Sequence, residues 1–289
     1  MAAKSKKNTI FSILDRDIIC QHKKDVLPRF PEITFHNHDG YEIYLFLDGD
    51  TDYYVEGLGK TLERGDLILT APYAFHYSDS KPTSTYERIF VNIKDTYMKA
   101  LEANTSIGLP ECFSRVPDYY LNLLKLSEHE IAVITSIADE MEKNLDNYAY
   151  GKELFSNALL TQLLVIINRK TLVNEINFSF TSVMPPLVKK TISFINDNLS
   201  ETISMKNLSE YVHHNPDYIC RCFKSITGVS LQQFILAKRI TLAQKHLIAG
   251  VSPCDACFMS GFNNYSNFSR TFSNHTGMSP KQYQLKQRK

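Results

Sequence analysis

Two arginines, Arg221 and Arg270, stand 49 residues apart in matching frames. Around them Ile219 matches Phe268, Arg221-x-Phe223 matches Arg270-x-Phe272, Thr227-Gly228-x-Ser230 matches Thr276-Gly277-x-Ser279, and Gln233-Phe234 matches Gln282-Tyr283. A guanidinium offers a two-point contact to guanine O6 and N7. An outward arginine repeated in this way points to duplex DNA. A second constellation lies towards the other end. His36, His38 and Glu42 have equal parity, so a continuous strand would aim all three to one side. The Asp39-Gly40 pair is a turn signal that weakens that continuity. Imidazole and carboxylate groups hydrogen-bond small polar ligands and ligate divalent ions.

The charge pattern separates the two constellations. From Leu187 to Lys289 there are 13 Lys/Arg and 5 Asp/Glu, a net of +8, whereas residues 1–186 carry 19 and 26, a net of −7. The formal total of +1 over 289 residues hides a basic C-terminal third and an acidic remainder. Such asymmetry predicts a nucleic-acid-binding part joined to something else. At 43% hydrophobic and 22% charged residues, the composition excludes collagen, bulk disorder and a disulfide-dense miniprotein.

The elements that must carry the repeat are short helices. Lys206 to Val212 predicts a first helix, His213-His214 a turn, and Asn215-Pro216 the cap and first position of a second helix running to about Ser225. Thr227-Gly228 stops it. In the second copy Asp255 to Ser260 is the first helix and Gly261-Phe262 the turn. Asn263 or Asn264 caps a helix to about Asn274, and Pro280 opens a last short one. Leu231 to Ile248 is a longer helix that spaces the two copies. Each copy has the layout of a helix-turn-helix, whose second helix presents outward residues to the major groove. With Ile219, Cys222 and Phe223 facing inward, the outward set of copy one is Asp217, Tyr218, Cys220, Arg221 and Lys224. That of copy two is Tyr265, Ser266, Asn267, Ser269 and Arg270. For a single arginine the plain alternative is a surface ion pair. Asp217 can accept from cytosine or simply favour the helix dipole.

Upstream, residues 30 to about 125 predict short strands. Tyr41 to Leu47 and Thr51 to Val55 flank Asp48-Gly49-Asp50 like a hairpin. Leu58-Gly59 and Gly65-Asp66 predict further turns, and Leu67 to Thr70 and Arg88 to Ile93 further strands, as in a small barrel or jelly roll. Glu128 to Leu145, opened by the capping-box pattern Ser127-Glu-His-Glu130, and Gly151 to Lys170 then predict two amphipathic helices. Those helices either pack on the strands or form a subunit interface. Val173 to Pro186 predicts a linker. The six cysteines, including the close pairs Cys220/Cys222 and Cys254/Cys257, predict structural thiols rather than a zinc site. The basic start and the short apolar Ile10 to Leu14 do not make a signal peptide, and no run spans a bilayer. A cytoplasmic location is expected.

The C-terminal residues resemble the AraC/XylS family of bacterial transcription regulators. The resemblance rests on Tyr218-Ile-Cys-Arg-Cys-Phe-Lys224, Thr227-Gly-Val-Ser230 and Arg239-x3-Ala243-x3-Leu247. It continues through Gly261-Phe-Asn-Asn-Tyr-Ser-Asn-Phe-Ser-Arg-Thr-Phe272 and Gly277-Met-Ser-Pro280-x2-Tyr283. His213-His214 and Ala256-Cys257 depart from the family's more usual Gly-apolar and Ile-Ala. The resemblance implies an α+β multidomain chain. Residues 1–172 would form a cupin-like β-barrel (jelly roll) domain for ligand sensing and dimerisation, with the amphipathic helices. Residues 173–186 would be the linker, and 187–289 an all-α domain of two helix-turn-helix units joined by a helix. It further implies a homodimer on tandem or paired half-sites of double-stranded DNA, a small-molecule effector such as a sugar, and activation through RNA polymerase. The two recognition helices of one domain would enter successive major grooves about 34 Å apart.

His36-x-His38-x3-Glu42-x6-Gly49, with Gly65, Pro72 and His76, also resembles the metal-binding motifs of the cupin superfamily, although Ala71-Pro72-Tyr73 departs from its Pro-x-Gly. By that resemblance His36, His38, Glu42 and His76 would hold Fe, Mn, Ni or Zn, or with Tyr44 would line a ligand pocket. Tyr41, Tyr44, Tyr53, Tyr54, Tyr73 and Tyr77 would stack on a sugar or serve as core. No catalytic residue and no resident cofactor is expected. A metal-dependent cupin enzyme with a helical appendage would leave the repeat and the +8 segment unexplained. An architectural nucleic-acid binder would leave the two capped recognition helices unexplained.

Overall fold

A computed structural model describes residues 11–12, 14–26, 35–82, 85–114, 121–173 and 183–287. The chain divides into two compact units. The described residues 14–26 and 37–173 form a β-rich unit. Residues 11–12, 35–36 and 184–287 group as the other, which is helical. Most of the expected linker, 174–182, lies outside the described residues.

After a short strand β1 (Phe11–Ser12), which groups with the helical unit, the β-rich unit runs through β2 (Ile18–Asp25), β3 (Asn37–His38), β4 (Gly40–Asp48), β5 (Thr51–Val55), β6 (Leu58–Thr61), β7 (Asp66–Thr70), β8 (His76–Ser80) and β9 (Tyr86–Lys94). Helices α1 (Asp95–Glu102) and α2 (Glu111–Ser114), strand β10 (Leu121–Lys125) and helices α3 (Glu128–Asp146) and α4 (Lys152–Val173) complete it. Eight of these strands form two antiparallel sheets, β10-β7-β4-β9-β2 and β6-β5-β8.

The hairpin expected between β4 and β5 does not form. Asp48-Gly49-Asp50 does turn the chain, but both edges of β4 are already paired, with β7 and β9. β5 therefore crosses to the second sheet, where it pairs with β6 and β8. The turn expected at Leu58-Gly59 lies two residues earlier. Glu56 and Gly57 have φ of +47° and +87°, the left-handed pair that tight hairpins require, and Leu58 already belongs to β6.

Strand alternation explains why β4 reads as one apolar run. Ile43, Leu45 and Leu47 pack with Ile131, Ile134, Leu160 and Leu163 of α3 and α4. Tyr44 and Phe46 point the other way and pack with Tyr53 and Val55 of the second sheet. A sheet buried on both faces loses the apolar–polar alternation of a half-exposed one. The capping box at Ser127 and Glu130 forms as expected and opens α3.

The helical unit contains α5 (Pro186–Asp197), α6 (Met205–Val212), α7 (Pro216–Thr227), α8 (Leu231–Ile248), α9 (Pro253–Met259), α10 (Tyr265–Thr276) and α11 (Pro280–Gln287). The 49-residue repeat is structural. Asn215 and Asn264 are the N-caps of α7 and α10, each accepting a backbone N–H through its side chain. Such caps contribute about 1 kcal/mol each. Thr227 and Thr276 close the two helices alike, their hydroxyls bonded to the Phe223 and Phe272 carbonyl oxygens at 2.7 and 2.8 Å. Gly228 and Gly277 follow as left-handed C-caps. Among the described residues no helix is long and apolar enough to cross a membrane.

Candidate functional site

On α7 the apolar residues Ile219, Phe223 and Thr227 are buried at four-residue spacing. That orientation leaves Asp217, Tyr218, Cys220, Arg221 and Lys224 exposed, as the sequence predicts. On α10 Phe268, Phe272 and Thr276 are buried in the same pattern. Tyr265, Ser266, Asn267 and Arg270 are exposed, while Ser269 is half-buried. The Ser269 carbonyl accepts the Ser273 hydroxyl at 2.8 Å. Arg221 and Arg270 thus occupy equivalent turns of two equivalently capped helices. Among the described residues neither guanidinium has an ion-pair partner, so the surface-pair alternative finds no support.

One supporting residue had no assigned role in the sequence. Arg239 of α8 donates from Nε to the Leu199 carbonyl oxygen at 3.1 Å and from Nη2 to the Glu201 carbonyl oxygen at 2.6 Å. Burial of its guanidinium pulls its pKa down. Gly261, in the turn before α10, has φ of +80°, and a Cβ there would lie 2.4 Å from the Leu199 oxygen and 2.8 Å from Arg239 Nε. The second turn therefore closes directly over the Arg239 anchor.

The β-rich unit gathers a buried acid–histidine cluster. Glu42 on β4, His38 on β3, Tyr53 on β5 and His76 on β8 all point between the two sheets and are buried. His38 is fixed through its backbone, where the Tyr73 N–H donates to its carbonyl oxygen at 2.8 Å. Next to it, the Asn37 Nδ2 donates to the Tyr73 carbonyl oxygen at 3.1 Å. One Glu42 oxygen lies 3.3 Å from His38 Nε2 and 3.5 Å from His76 Nε2. The other accepts the Tyr53 hydroxyl at 3.1 Å. His76 Nδ1 donates to the Ala74 carbonyl oxygen at 2.9 Å. Burial pushes the Glu42 carboxyl up, but His76 and His38 outweigh it and hold it well below the usual carboxylate range. Burial likewise pushes His76 down, and the Glu42 carboxylate outweighs that, so its pKa is raised.

Tyr44 belongs to the same interior. Its hydroxyl meets the Tyr86 hydroxyl at 2.5 Å, and Tyr86 in turn donates to Ser78 Oγ at 2.9 Å. Tyr86 and Ser78 carried no signal in the sequence, because a buried tyrosine in a strand looks like ordinary core. Tyr54 and Tyr77 instead stack on each other, with ring centroids 4.8 Å apart. His36 is half-buried and groups with the helical unit. Of the expected set, His38, Glu42 and His76 are the members that lie in the β-rich unit. Two imidazole Nε2 atoms converging on one carboxylate fit a first-row divalent ion. The Nδ1 bond to Ala74 is of the kind that orients a ligating imidazole. The same atoms also form an ion-pair cluster, in which His38 Nε2 is hydrogen-bonded to Glu42. The thiols join no cluster with other metal-ligating side chains among the described residues. All six are free, and burial raises Cys20 to about 12.

Part of the helical unit matches a known family. Residues 208–286, from α6 into α11, match the helix-turn-helix domain family. HTH-type transcriptional regulator YbfI of Bacillus subtilis is 26% identical over 84% of this chain and 83% of its own length. The melibiose operon regulatory protein of Escherichia coli is 30% identical over 33% of this chain and 32% of its own length. Among solved structures, ToxT from Vibrio cholerae is 14% identical, covers 93% of this chain and 97% of its own, and has a TM-score of 0.37. Residues 208–286 of this chain are a helix-turn-helix domain, and the relatives that it matches are HTH-type transcriptional regulators.

Proposed function

We propose that this regulator reads a specific DNA sequence through α7 and α10, which enter successive major grooves as a tandem pair. The observation that supports it most is the equivalent exposure of Arg221 and Arg270, without an ion pair among the described residues, on two helices with the same caps. Asp217, Tyr218, Cys220 and Lys224 flank the first arginine, and Tyr265, Ser266, Asn267 and Ser269 precede the second. The chain acts as a homodimer on paired half-sites, with RNA polymerase as its partner at the promoter. Selection of duplexes from a random pool, followed by titration of winner and random duplex at matched salt, tests this. A specificity ratio of about 10³ or more supports the reading, and a ratio near one overturns it.

The β-rich unit senses a small polar molecule at the His38–Glu42–His76 cluster, with Tyr44 and Tyr53 alongside. Such a ligand must offer donors to Glu42, which the buried histidines hold ionised. Sugars are the first class to screen. Binding shifts the unit between conformers that differ in their affinity for the ligand. A second reading, a divalent ion held by His38, Glu42 and His76, is favoured by the convergence of their donor atoms. Metal analysis of the purified chain distinguishes the two.

A further inference from the structure

The second helix-turn-helix copy carries a thiol pair that the first lacks. Across the 49-residue offset, Cys254 and Cys257 stand where copy one has Met205 and Leu208. Leu208 and Cys257 are both fully buried. Cys257 belongs to the core formed with Phe262, Phe268 and Phe272, the last two on α10. Its Sγ donates to the Phe262 carbonyl oxygen at 3.9 Å, and the Phe262 N–H donates to the Cys257 carbonyl oxygen at 3.1 Å. Cys254, one turn earlier on α9, is exposed. Burial raises the Cys257 pKa, and the nearby Cys254 raises it further.

An exposed thiol beside a second one is the arrangement in which a peroxide yields a disulfide rather than a lasting sulfenic acid. Residues three apart on a helix have Cα atoms about 5 Å apart, inside the range of about 4.4–6.8 Å that a disulfide accepts. Their Cβ atoms stand about 5–6 Å apart, where a disulfide needs about 3.5–4.5 Å. Closure therefore has to unwind the first turn of α9. Cys254 is the second residue of that turn, where a backbone N–H has no intrahelical acceptor. The Ser252 hydroxyl holds the turn, accepting the Asp255 N–H at 3.2 Å and donating to the Asp255 carboxylate at 2.6 Å. Cys220 and Cys222 of α7 are two residues apart, so they face different sides of their helix and do not pair.

We propose that Cys254 and Cys257 are a peroxide-oxidised thiol pair, whose disulfide displaces α10 and leaves α7 in place. Hydrogen peroxide takes two electrons from the Cys254 sulfur, giving a sulfenic acid and one water. The Cys257 sulfur then attacks that sulfur, hydroxide leaves, and the Cys257 proton turns it into the second water. Two thiols and one peroxide thus become one disulfide and two waters. Drawing Cys257 towards Cys254 breaks its bond to the Phe262 oxygen and pulls on the turn that starts α10. A disulfide closed against helix geometry is readily reduced, so a thiol reductant reverses the change. The consequence for DNA rests on the reading of α10 given above; the disulfide itself does not.

Peroxide treatment of the full chain, followed by trypsin and mass spectrometry, reads the bond directly. Residues 246–270 form one tryptic peptide that holds Cys254, Cys257 and no other cysteine. It should become two hydrogens lighter, and dithiothreitol should restore it. A stable sulfenic or sulfinic acid at Cys254, with Cys257 still a thiol, overturns the pairing. On a selected duplex the oxidised wild type should bind about tenfold or more weakly. It should lose only the base contacts assigned to α10 and recover them with dithiothreitol. Cys254→Ser should bind alike before and after peroxide. Equal loss of binding in Cys254→Ser, or loss of the α7 contacts as well, overturns the control of α10. Should Cys254→Ser fail to fold, Cys257→Ala serves in its place. It should stop at a sulfenic acid on Cys254 that dimedone traps, and an unmodified Cys254 there overturns its role as the peroxide-facing thiol. A reduced wild type with no sequence preference sinks the DNA reading, while the peptide mass still decides the disulfide.

Discussion

Within the helical unit Phe35 stacks on Phe234, with ring centroids 5.6 Å apart and planes at 29°. The Phe35 backbone N–H donates to the Thr227 carbonyl oxygen at 3.1 Å, at the end of α7. Phe234 also meets Phe223 of α7 at 5.3 Å. A residue from far upstream thus completes the core behind α7. Because Phe35 is fully buried, Phe35→Ala should lower this unit's stability by about 3–5 kcal/mol. Differential scanning calorimetry of wild type and variant checks it. A fragment beginning at Met184 should melt below the same unit in the whole chain, and equal melting contradicts the assignment.

Gly261 and Arg239 act as one fitting. A methyl group at 261 would strike both the Leu199 oxygen and Arg239 Nε, on backbone that side chains rarely adopt. Gly261→Ala should therefore cost about 2 kcal/mol or more in urea unfolding. Arg239→Met removes two bonds to carbonyl oxygens and should cost a similar amount. Because the two sites touch, the double variant should lose less than the sum. Strict additivity would show that the turn and the anchor are independent.

Arg221→Ala and Arg270→Ala should each weaken binding to a selected duplex by about 1–3 kcal/mol and relax preference at one base position. Neither should move the melting temperature, since both side chains are exposed and lack ion pairs among the described residues. Lys224→Ala should weaken selected and random duplexes alike and reduce the salt slope by about one. Fluorescence anisotropy across a salt series separates these outcomes. An arginine variant that lowers stability instead marks a structural residue.

The Glu42–His76 pair gives the β-rich unit a pH signature. Glu42 has a lowered pKa when folded, so its contribution is present above the ordinary carboxylate value of 4.5 and is lost as pH falls through the folded value. His76 has a raised pKa, so its contribution is present below the ordinary value of 6.5 and is lost as pH rises through the folded value. Glu42→Gln strands the buried His76 charge and should cost about 3 kcal/mol within that window. The penalty should shrink on both sides of it. Thermal melts of both proteins with a chelator present check the profile, and a penalty constant with pH contradicts the ion pair.

The helical unit was legible because its information is local. Asn215, Asn264, Thr227 and Thr276 specify caps within a few residues of themselves, and the repeat displays each signal twice. Burial of Ile219 and Phe268 then fixes which side of each helix faces outward. The β-rich unit was legible as strands but not as pairings. Glu42, Tyr53 and His76 meet only because β4 has both edges occupied and β5 crosses to the other sheet. Equal parity correctly placed His38 with Glu42, since both flank the short break at Asp39. Phe35 was illegible, because its partners Thr227 and Phe234 lie far along the chain.

As proposed above, α7 and α10 read DNA as a tandem pair. Missing-base interference on a selected duplex tests it most directly, with wild type, Arg221→Ala and Arg270→Ala in parallel. Two clusters of interfering bases are expected, about one helical turn apart on one face of the duplex. Each variant should erase one guanine signal, in a different cluster. A single cluster, or a pattern that neither arginine variant changes, would contradict it.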